Sequence, residues 1–195
     1  MQKGLLGQIC TPASGNRVLE GVDWCADNGV FGNTYPGDDA YLAWLERRAW
    51  AADRCAFAVA PDVVGDAAGT LARSGPMLDR IRRIGFPVAF AGQNGIEDLT
   101  VPWDAFDVLF LGGDDPWKLG RAGRALTARA RALGKPVHMG RVNSRKRLRY
   151  AVRIGCTSAD GTYLGHGPDE NLPRLLGWLS EIHDAPAPWY EEVAA

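Results

Sequence analysis

No two cysteines in this chain are spaced as C-x-C or C-x-x-C, and no acidic residue occurs anywhere between Trp117 and Arg153. The four cysteines, Cys10, Cys25, Cys55 and Cys156, are scattered, which argues against a structural zinc site and against a disulfide framework. Most are expected to be small buried hydrophobes. The three histidines, His138, His166 and His183, carry no ligand spacing, so no metal and no cofactor is expected. No G-K-[ST] follows the glycine pair Gly112-Gly113, which excludes a P-loop. No apolar stretch approaches the length of a membrane span. The opening Met-Gln-Lys-Gly-Leu-Leu lacks an apolar core followed by a cleavage site, so cytoplasmic residence without a membrane partner is the expectation. Internal repeats and low-complexity segments are absent as well.

What is present is a length of 195 residues, enough to bury a sizeable core, and a single domain over residues 1–195 is expected. A net charge of −1 hides an asymmetry. The segment from Trp117 to Arg153 holds twelve lysines and arginines, leaving ten for the rest of the chain beside all 23 acids. Such a block is either a set of solvated helix faces or an electrostatic footprint for a polyanion. It brackets Gly140-Arg141, a strand end, which favours the second reading.

Six short apolar runs each stop on a polar or glycine-rich tip. They are Val22–Ala26 before Asp27-Asn28-Gly29, Phe57–Ala60 before Pro61-Asp62, and Val88–Ala91 before Gly92-Gln93-Asn94-Gly95. Val108–Leu111 precedes Gly112-Gly113, Val137–Met139 precedes Gly140-Arg141, and Cys156–Ala159 precedes Asp160-Gly161. Runs of this length bounded by turn chemistry are expected to be strands buried on both faces, as in parallel sheets. Leu5–Cys10 is a seventh candidate, and an eighth could lie near Arg17–Leu19. Between them the pattern predicts helices from Asp66 or Thr70 to Ile84, from Trp117 to Leu133, from Asn143 or Ser144 to Ile154, and from Leu172 to His183. Asp38–Arg54 is helical by pattern, with Tyr41, Trp44, Leu45 and Trp50 on its apolar side. The Pro186–Pro188 tail is expected to be loosely held. The fold class is α/β, a compact or incomplete (β/α)8 TIM-like barrel with parallel strands; an open doubly wound sheet is the alternative.

In such folds, groups at the carboxyl ends of the strands form the site. Asp27 and Asp160 stand there as candidate acting carboxylates, although an Asp before Gly also serves as a plain turn former. Gln93 both donates and accepts hydrogen bonds, as the edge of a heterocycle requires, and Gly112-Gly113 offers backbone N–H groups to a carbonyl oxygen. His138, inside a strand, fits a core or supporting role better than a catalytic one. No Ser-His-Asp or Cys-His arrangement is evident. A metal-free pair of carboxylates is the usual equipment for breaking a glycosidic bond, and the basic block suggests that the sugar belongs to a nucleic acid.

Taken in order, these tips resemble those of the tRNA-guanine transglycosylase superfamily, and most closely its small DNA-directed branch, over roughly residues 23–179. Cys25-Ala26-Asp27-Asn28-Gly29-Val30-Phe31 is similar to the family's A-D-S-G-G-F segment, with Asn and Val for Ser and Gly. Asp62 takes the place of the Asp that grips the purine's amino edge. Gln93 resembles the V-Q-G-G glutamine, and Gly112 with Gly113 the I-G-G segment that reads the base carbonyl. Met139-Gly140 is similar to L-M-G, whose methionine packs on the base, and Asp160 matches the nucleophile. The zinc-binding Cys-Cys-Cys-His set of the tRNA enzymes is missing here, which points to DNA in preference to tRNA. The resemblance implies exchange of guanine for a 7-deazaguanine base such as preQ0 through a covalent glycosyl-Asp160 intermediate. Asp27 would shuttle the proton, and Arg141, Arg145, Lys146 and Arg149 would hold phosphates. A second copy of the chain or a partner protein is compatible with this reading. Its rivals are a nucleoside or nucleotide N-glycosidase using water, and a non-catalytic nucleic-acid-binding protein of the same fold.

Overall fold

The computed structural model describes residues 5–184; the Pro186–Pro188 tail lies outside them. Among the described residues seven strands, each parallel to its paired neighbour, alternate with helices, the α/β class of an incomplete (β/α)8 TIM-like barrel. The chain falls into two compact units, the first ending at Asp114 and the second beginning at Asp115.

The first unit carries β1 (Gln8–Cys10), β2 (Trp24–Ala26), β3 (Cys55–Val59), β4 (Val88–Gly92) and β5 (Val108–Leu111), side by side in chain order. The strands are rich in alanine, valine and phenylalanine, and β2 and β4 are buried at every residue. Register partners on one face, Cys25, Phe57, Val59, Ala89, Ala91 and Val108, pack into one apolar cluster joined by Phe110. On the other face Trp24 meets Trp44 and Phe86 edge-on, and Phe90 stacks on Phe106 at 5.3 Å. Fully burying a phenylalanine of this kind stabilises the fold by roughly 1.5–3 kcal/mol. The polar ends of the buried aromatics are satisfied: Trp24 Nε1 donates to Ala51 O and the Tyr41 hydroxyl to Val59 O.

The expected eighth strand does not form. Arg17–Leu19 is irregular, and the Gln8 side-chain amide takes over as its neighbour, donating to Arg17 O (2.8 Å) and accepting from Leu19 N (3.1 Å). A side chain thus does the pairing that a backbone ladder would do. The Asp38–Arg54 segment is α1 (Asp38–Glu46) followed by a 3₁₀ stretch (Ala49–Arg54) with non-helical backbone at Ala51. That kink turns Trp50 out to 60% exposure, whereas Tyr41, Trp44 and Leu45 are buried as predicted. Helix α2 (Ala67–Ile84) begins at Asp66, whose side chain accepts from Gly69 N, and stops at Gly85, whose φ of 108° only glycine adopts easily.

The second unit carries α3 (Asp115–Lys118), α4 (Arg121–Ala132), β6 (Val137–Met139), α5 (Arg145–Arg153), β7 (Ser158–Ala159) and α6 (Pro168–Asp184). The single helix expected over Trp117–Leu133 is broken at Leu119-Gly120. Gly120 is folded so tightly onto the end of α3 that a Cβ there would lie 2.6 Å from Pro116 O. β6 is wholly buried, but β7 is two residues long and partly exposed, so its run is not buried on both faces. Of the cysteines, Cys10, Cys25 and Cys55 are buried thiols and Cys156 is a partly buried one. Burial pushes the Cys55 and Cys156 thiols up to about 12, leaving them unreactive at neutral pH.

Candidate functional site

In the first unit, the tips of β2, β3 and β4 bring Asn28, Asp62 and Gln93 together. Asp62 is 8% exposed and Gln93 1%. Asn28 Nδ2 donates to one Asp62 oxygen at 3.0 Å and to Ala60 O, while Gln93 Nε2 donates to the other Asp62 oxygen at 2.7 Å. Gln93 Oε1 in turn accepts from Gly65 N. Helix α2 pins this tip from below: Ser74 Oγ donates to Pro61 O, and Thr70 Oγ1 both accepts from Val63 N and donates to Val63 O. Burial raises the Asp62 carboxyl above the usual range, and the amide donors of Asn28 and Gln93 only partly offset this. Two buried amides turned onto it thus fix the Asp62 carboxylate at the strand tip. Asn28 was not singled out from the sequence; its signal is its place beside Asp27 at the same tip.

Two expectations change here. Gly112 N and Gly113 N both donate to Gly92 O, at 3.0 and 3.2 Å, so the pair spends these donors on its neighbouring strand rather than holding them out to a ligand. The need for glycine at 112 is steric, since a Cβ there would sit 2.6 Å from Gln93 Nε2. Asp27 is partly buried, and its Oδ1 accepts from Gly29 N at 2.7 Å, the turn-forming geometry that the sequence left open.

In the second unit, Asp160 ends β7. Its Oδ2 lies 3.1 Å from His138 Nε2, and its Oδ1 accepts from Arg141 N at 2.7 Å. Burial works to raise this carboxyl, but the His138 contact, the Arg141 N–H and the Lys118 charge outweigh it and hold it below the ordinary value. His138 faces Ser158 across the β6–β7 ladder, and its Nδ1 is 2.8 Å from Ser158 Oγ. A serine–histidine–aspartate chain therefore exists where none was evident in the sequence, with the imidazole 3% exposed between its partners. Because an ionised Asp160 can only accept, Nε2 carries the proton toward it and Nδ1 accepts from the serine hydroxyl when the ring is neutral.

The loop after β6 is laced to Asp160. Arg141 has φ 63°, a left-handed conformation that costs a non-glycine residue about 1–2 kcal/mol. Val142 N donates to Asp160 O, and Asn143 Oδ1 accepts from Thr162 N. Gly161 is obligatory because a Cβ there would meet Asn143 Oδ1 at 2.4 Å and Val142 O at 2.5 Å. Met139 is 0% exposed, so it supports the strand end from within and presents no open face to a base.

The basic block is real but partly neutralised. Arg145 forms a two-pronged ion pair with Glu181 of α6, and Arg147 pairs with Asp115 and donates to Arg141 O. Lys146 and Arg149 are exposed on α5, and the Arg153 guanidinium lies 5.7 Å from the Tyr150 ring centre. An open groove of about 550 Å³ lies elsewhere, between α1 and α2, lined by Leu42, Ala43 and Ile84 with Arg80 and Arg83. No strand-end residue lines it, so concavity alone does not locate the chemistry. Among the described residues no group of His, Cys, Asp and Glu could hold a metal ion, and no helix is long and apolar enough to cross a membrane.

No family model and no curated protein matches this chain. Solved structures do. A BexX/CysO complex from Amycolatopsis orientalis is 15% identical, with 98% of this chain covering 86% of that one at a TM-score of 0.53. A Silicibacter pomeroyi protein named as a glycerophosphoryl diester phosphodiesterase is also 15% identical, with 83% of this chain covering 51% of that one at 0.50. The PaMucR phosphodiesterase in complex with c-di-GMP is 16% identical and matches at 0.46, with 73% of this chain covering 60% of it. The chain thus spans less than two thirds of the length of either phosphodiesterase. At these identities the likeness is one of fold.

Proposed function

We propose that the chain is a base-exchange transglycosylase that replaces guanine in DNA with a 7-deazaguanine base. The observation that carries this reading is Asp160: a largely buried carboxylate, held below its ordinary titration range, with each oxygen fixed by one hydrogen bond. A carboxylate nucleophile must be ionised, oriented and shielded from bulk water, and these are the conditions met at Asp160. Each of its oxygens retains a further lone pair for attack.

In the proposed reaction Asp160 attacks C1′ of the target deoxyguanosine and the C1′–N9 bond breaks. Guanine departs with that electron pair and takes up a proton. N9 of the incoming base then gives up its proton and attacks C1′, releasing Asp160. Asp62 is assigned to the base edge, with Gln93, buried behind it, holding its carboxylate in place. Asp27 is the candidate proton shuttle, giving a proton to the departing guanine and taking one from the incoming base. Unstacking the target base costs on the order of a few kcal/mol, which contacts of Lys146, Arg149 and Arg141 with phosphates would offset.

Incubating double-stranded DNA with the protein and labelled guanine or preQ0 tests the reading. Incorporation of label is the expected result. Free guanine with abasic sites and no incorporated label would assign the chain to N-glycoside hydrolysis instead. DNA binding without either product would leave it a binding protein.

A further inference from the structure

Lys118 is the most buried charged side chain described, at 1% exposure, and the proposed reaction gives it no part. It sits at the end of α3, and its Nζ donates to Gly140 O at 2.6 Å and lies 3.3 Å from Asp115 Oδ1. Gly140 O belongs to the same peptide group as Arg141 N–H, which donates to Asp160 Oδ1 at 2.7 Å. One amide plane therefore stands between an ammonium on its oxygen and a carboxylate on its N–H. A cation at the carbonyl draws electron density toward oxygen and leaves the N–H more acidic, so the two hydrogen bonds strengthen each other. The trans peptide points its carbonyl and its N–H in opposite directions, and Arg147, donating to Arg141 O and paired with Asp115, braces the next carbonyl.

We propose that Lys118 is a positioning residue for Asp160, acting through the Gly140–Arg141 peptide. Asp115 holds the lysine, the lysine holds the peptide, and the peptide holds one oxygen of the carboxylate. This accounts for an ammonium placed where burial disfavours it, and for a non-glycine residue kept in a left-handed turn. The charged and titratable groups around Asp160 are then His138 on β6, Arg141 in the following loop and Lys118 on α3, with Asp115 and Arg147 behind the lysine.

The test is a carboxyl ¹³C NMR titration of the full chain, with the Asp160 signal identified from its loss in Asp160→Asn. In Lys118→Met, which keeps the volume and removes the charge, the Asp160 midpoint is expected to move upward, and base exchange at neutral pH to fall about tenfold. An unchanged midpoint in a folded Lys118→Met protein overturns the proposal. Should that variant fail to fold, the wild type decides: as Asp160 titrates, the Arg141 amide and the Gly140 carbonyl resonances should shift with the same midpoint. A flat Gly140 carbonyl through that titration also overturns it. Only the kinetic consequence rests on Asp160 being the nucleophile. A midpoint that moves in a protein lacking exchange activity would sink the transglycosylase reading and leave the positioning role standing.

Discussion

Asp62 and Asp160 are both carboxylates at the ends of buried parallel strands, yet their surroundings push them in opposite directions. Asp62 is met by the amides of Asn28 and Gln93, its own backbone N–H and the field of Arg73, and burial still wins: its carboxyl is raised. Asp160 is met by an imidazole, a backbone N–H and the field of a buried ammonium, and these win over burial: its carboxyl is lowered. Asp62 lies in the first unit and Asp160 in the second, and each carboxyl is set by its own surroundings. Asp160 is suited to attack as an anion and to be released again as one. Asp62 is suited to exchange hydrogen bonds with a neutral, planar partner.

The largest contrast should come from replacing each acid by its neutral isostere. Asp160→Asn removes the proposed nucleophile and is expected to lower label incorporation at least about a thousandfold while the protein stays folded. Asp62→Asn should act chiefly on binding and stability. Its new amide NH₂ would face a donor already aimed at that position, from Asn28 or Gln93, costing roughly 1–3 kcal/mol in urea unfolding and raising the KM for the incoming base. If Asp62→Asn proved the more damaging to turnover at saturating base, the division between the two acids would have to be reversed.

A smaller contrast separates the glycines that make room for each cluster. Gly161→Ala sets its Cβ against the Val142 backbone, which cannot give way without moving the loop that carries Arg141 N–H. Gly112→Ala sets its Cβ against the end of the Gln93 side chain, which can rotate. Overpacking of this kind costs typically about 1–3 kcal/mol. Gly161→Ala is expected at the upper end and to slow catalysis. Gly112→Ala should fall at the lower end and weaken base binding by displacing the amide. Equal denaturation midpoints and equal kinetic losses would mean that neither glycine is tied to its own cluster.

Strand positions were legible from the sequence because parallel strands leave a contiguous apolar signature; Val108–Leu111 and Val137–Met139 match β5 and β6 residue for residue. The carboxylates and Gln93 were legible because they interrupt those runs. What stayed hidden was whatever depends on pairing across strands or on a third element. Ser158 meets His138 only through the β6–β7 register, and Lys118 reaches Gly140 O only because Gly120 cuts the expected helix short. The glycine pair misled for a related reason. Gly112-Gly113 does stand at a strand end, but Gly92 O, on the neighbouring strand, takes both of its N–H groups. Likewise the arginine block looked uniform in the sequence, while the fold draws Glu181 and Asp115 onto Arg145 and Arg147.

The smallest effect, and the most direct reading of the opposed environments, is the pH dependence of stability. A lowered folded-state value means that the unfolded chain binds more protons than the native one at Asp160. Its contribution to stability is therefore full above the unfolded carboxyl value of about 3.9 and is lost as pH falls through the lower native value. Asp62 has the reverse sign. Its contribution is full below about 3.9 and is lost as pH rises through the raised native value. Urea midpoints of wild type, Asp62→Asn and Asp160→Asn, followed upward from about pH 3, separate the two. The cost of Asp160→Asn should grow with pH at the acid end of that range. The cost of Asp62→Asn should be greatest in acid and shrink as pH rises past the ordinary aspartate value. Slopes of the same sign for both variants would show that the fold does not hold these carboxylates in opposite states, and the separation of roles would lose its electrostatic basis.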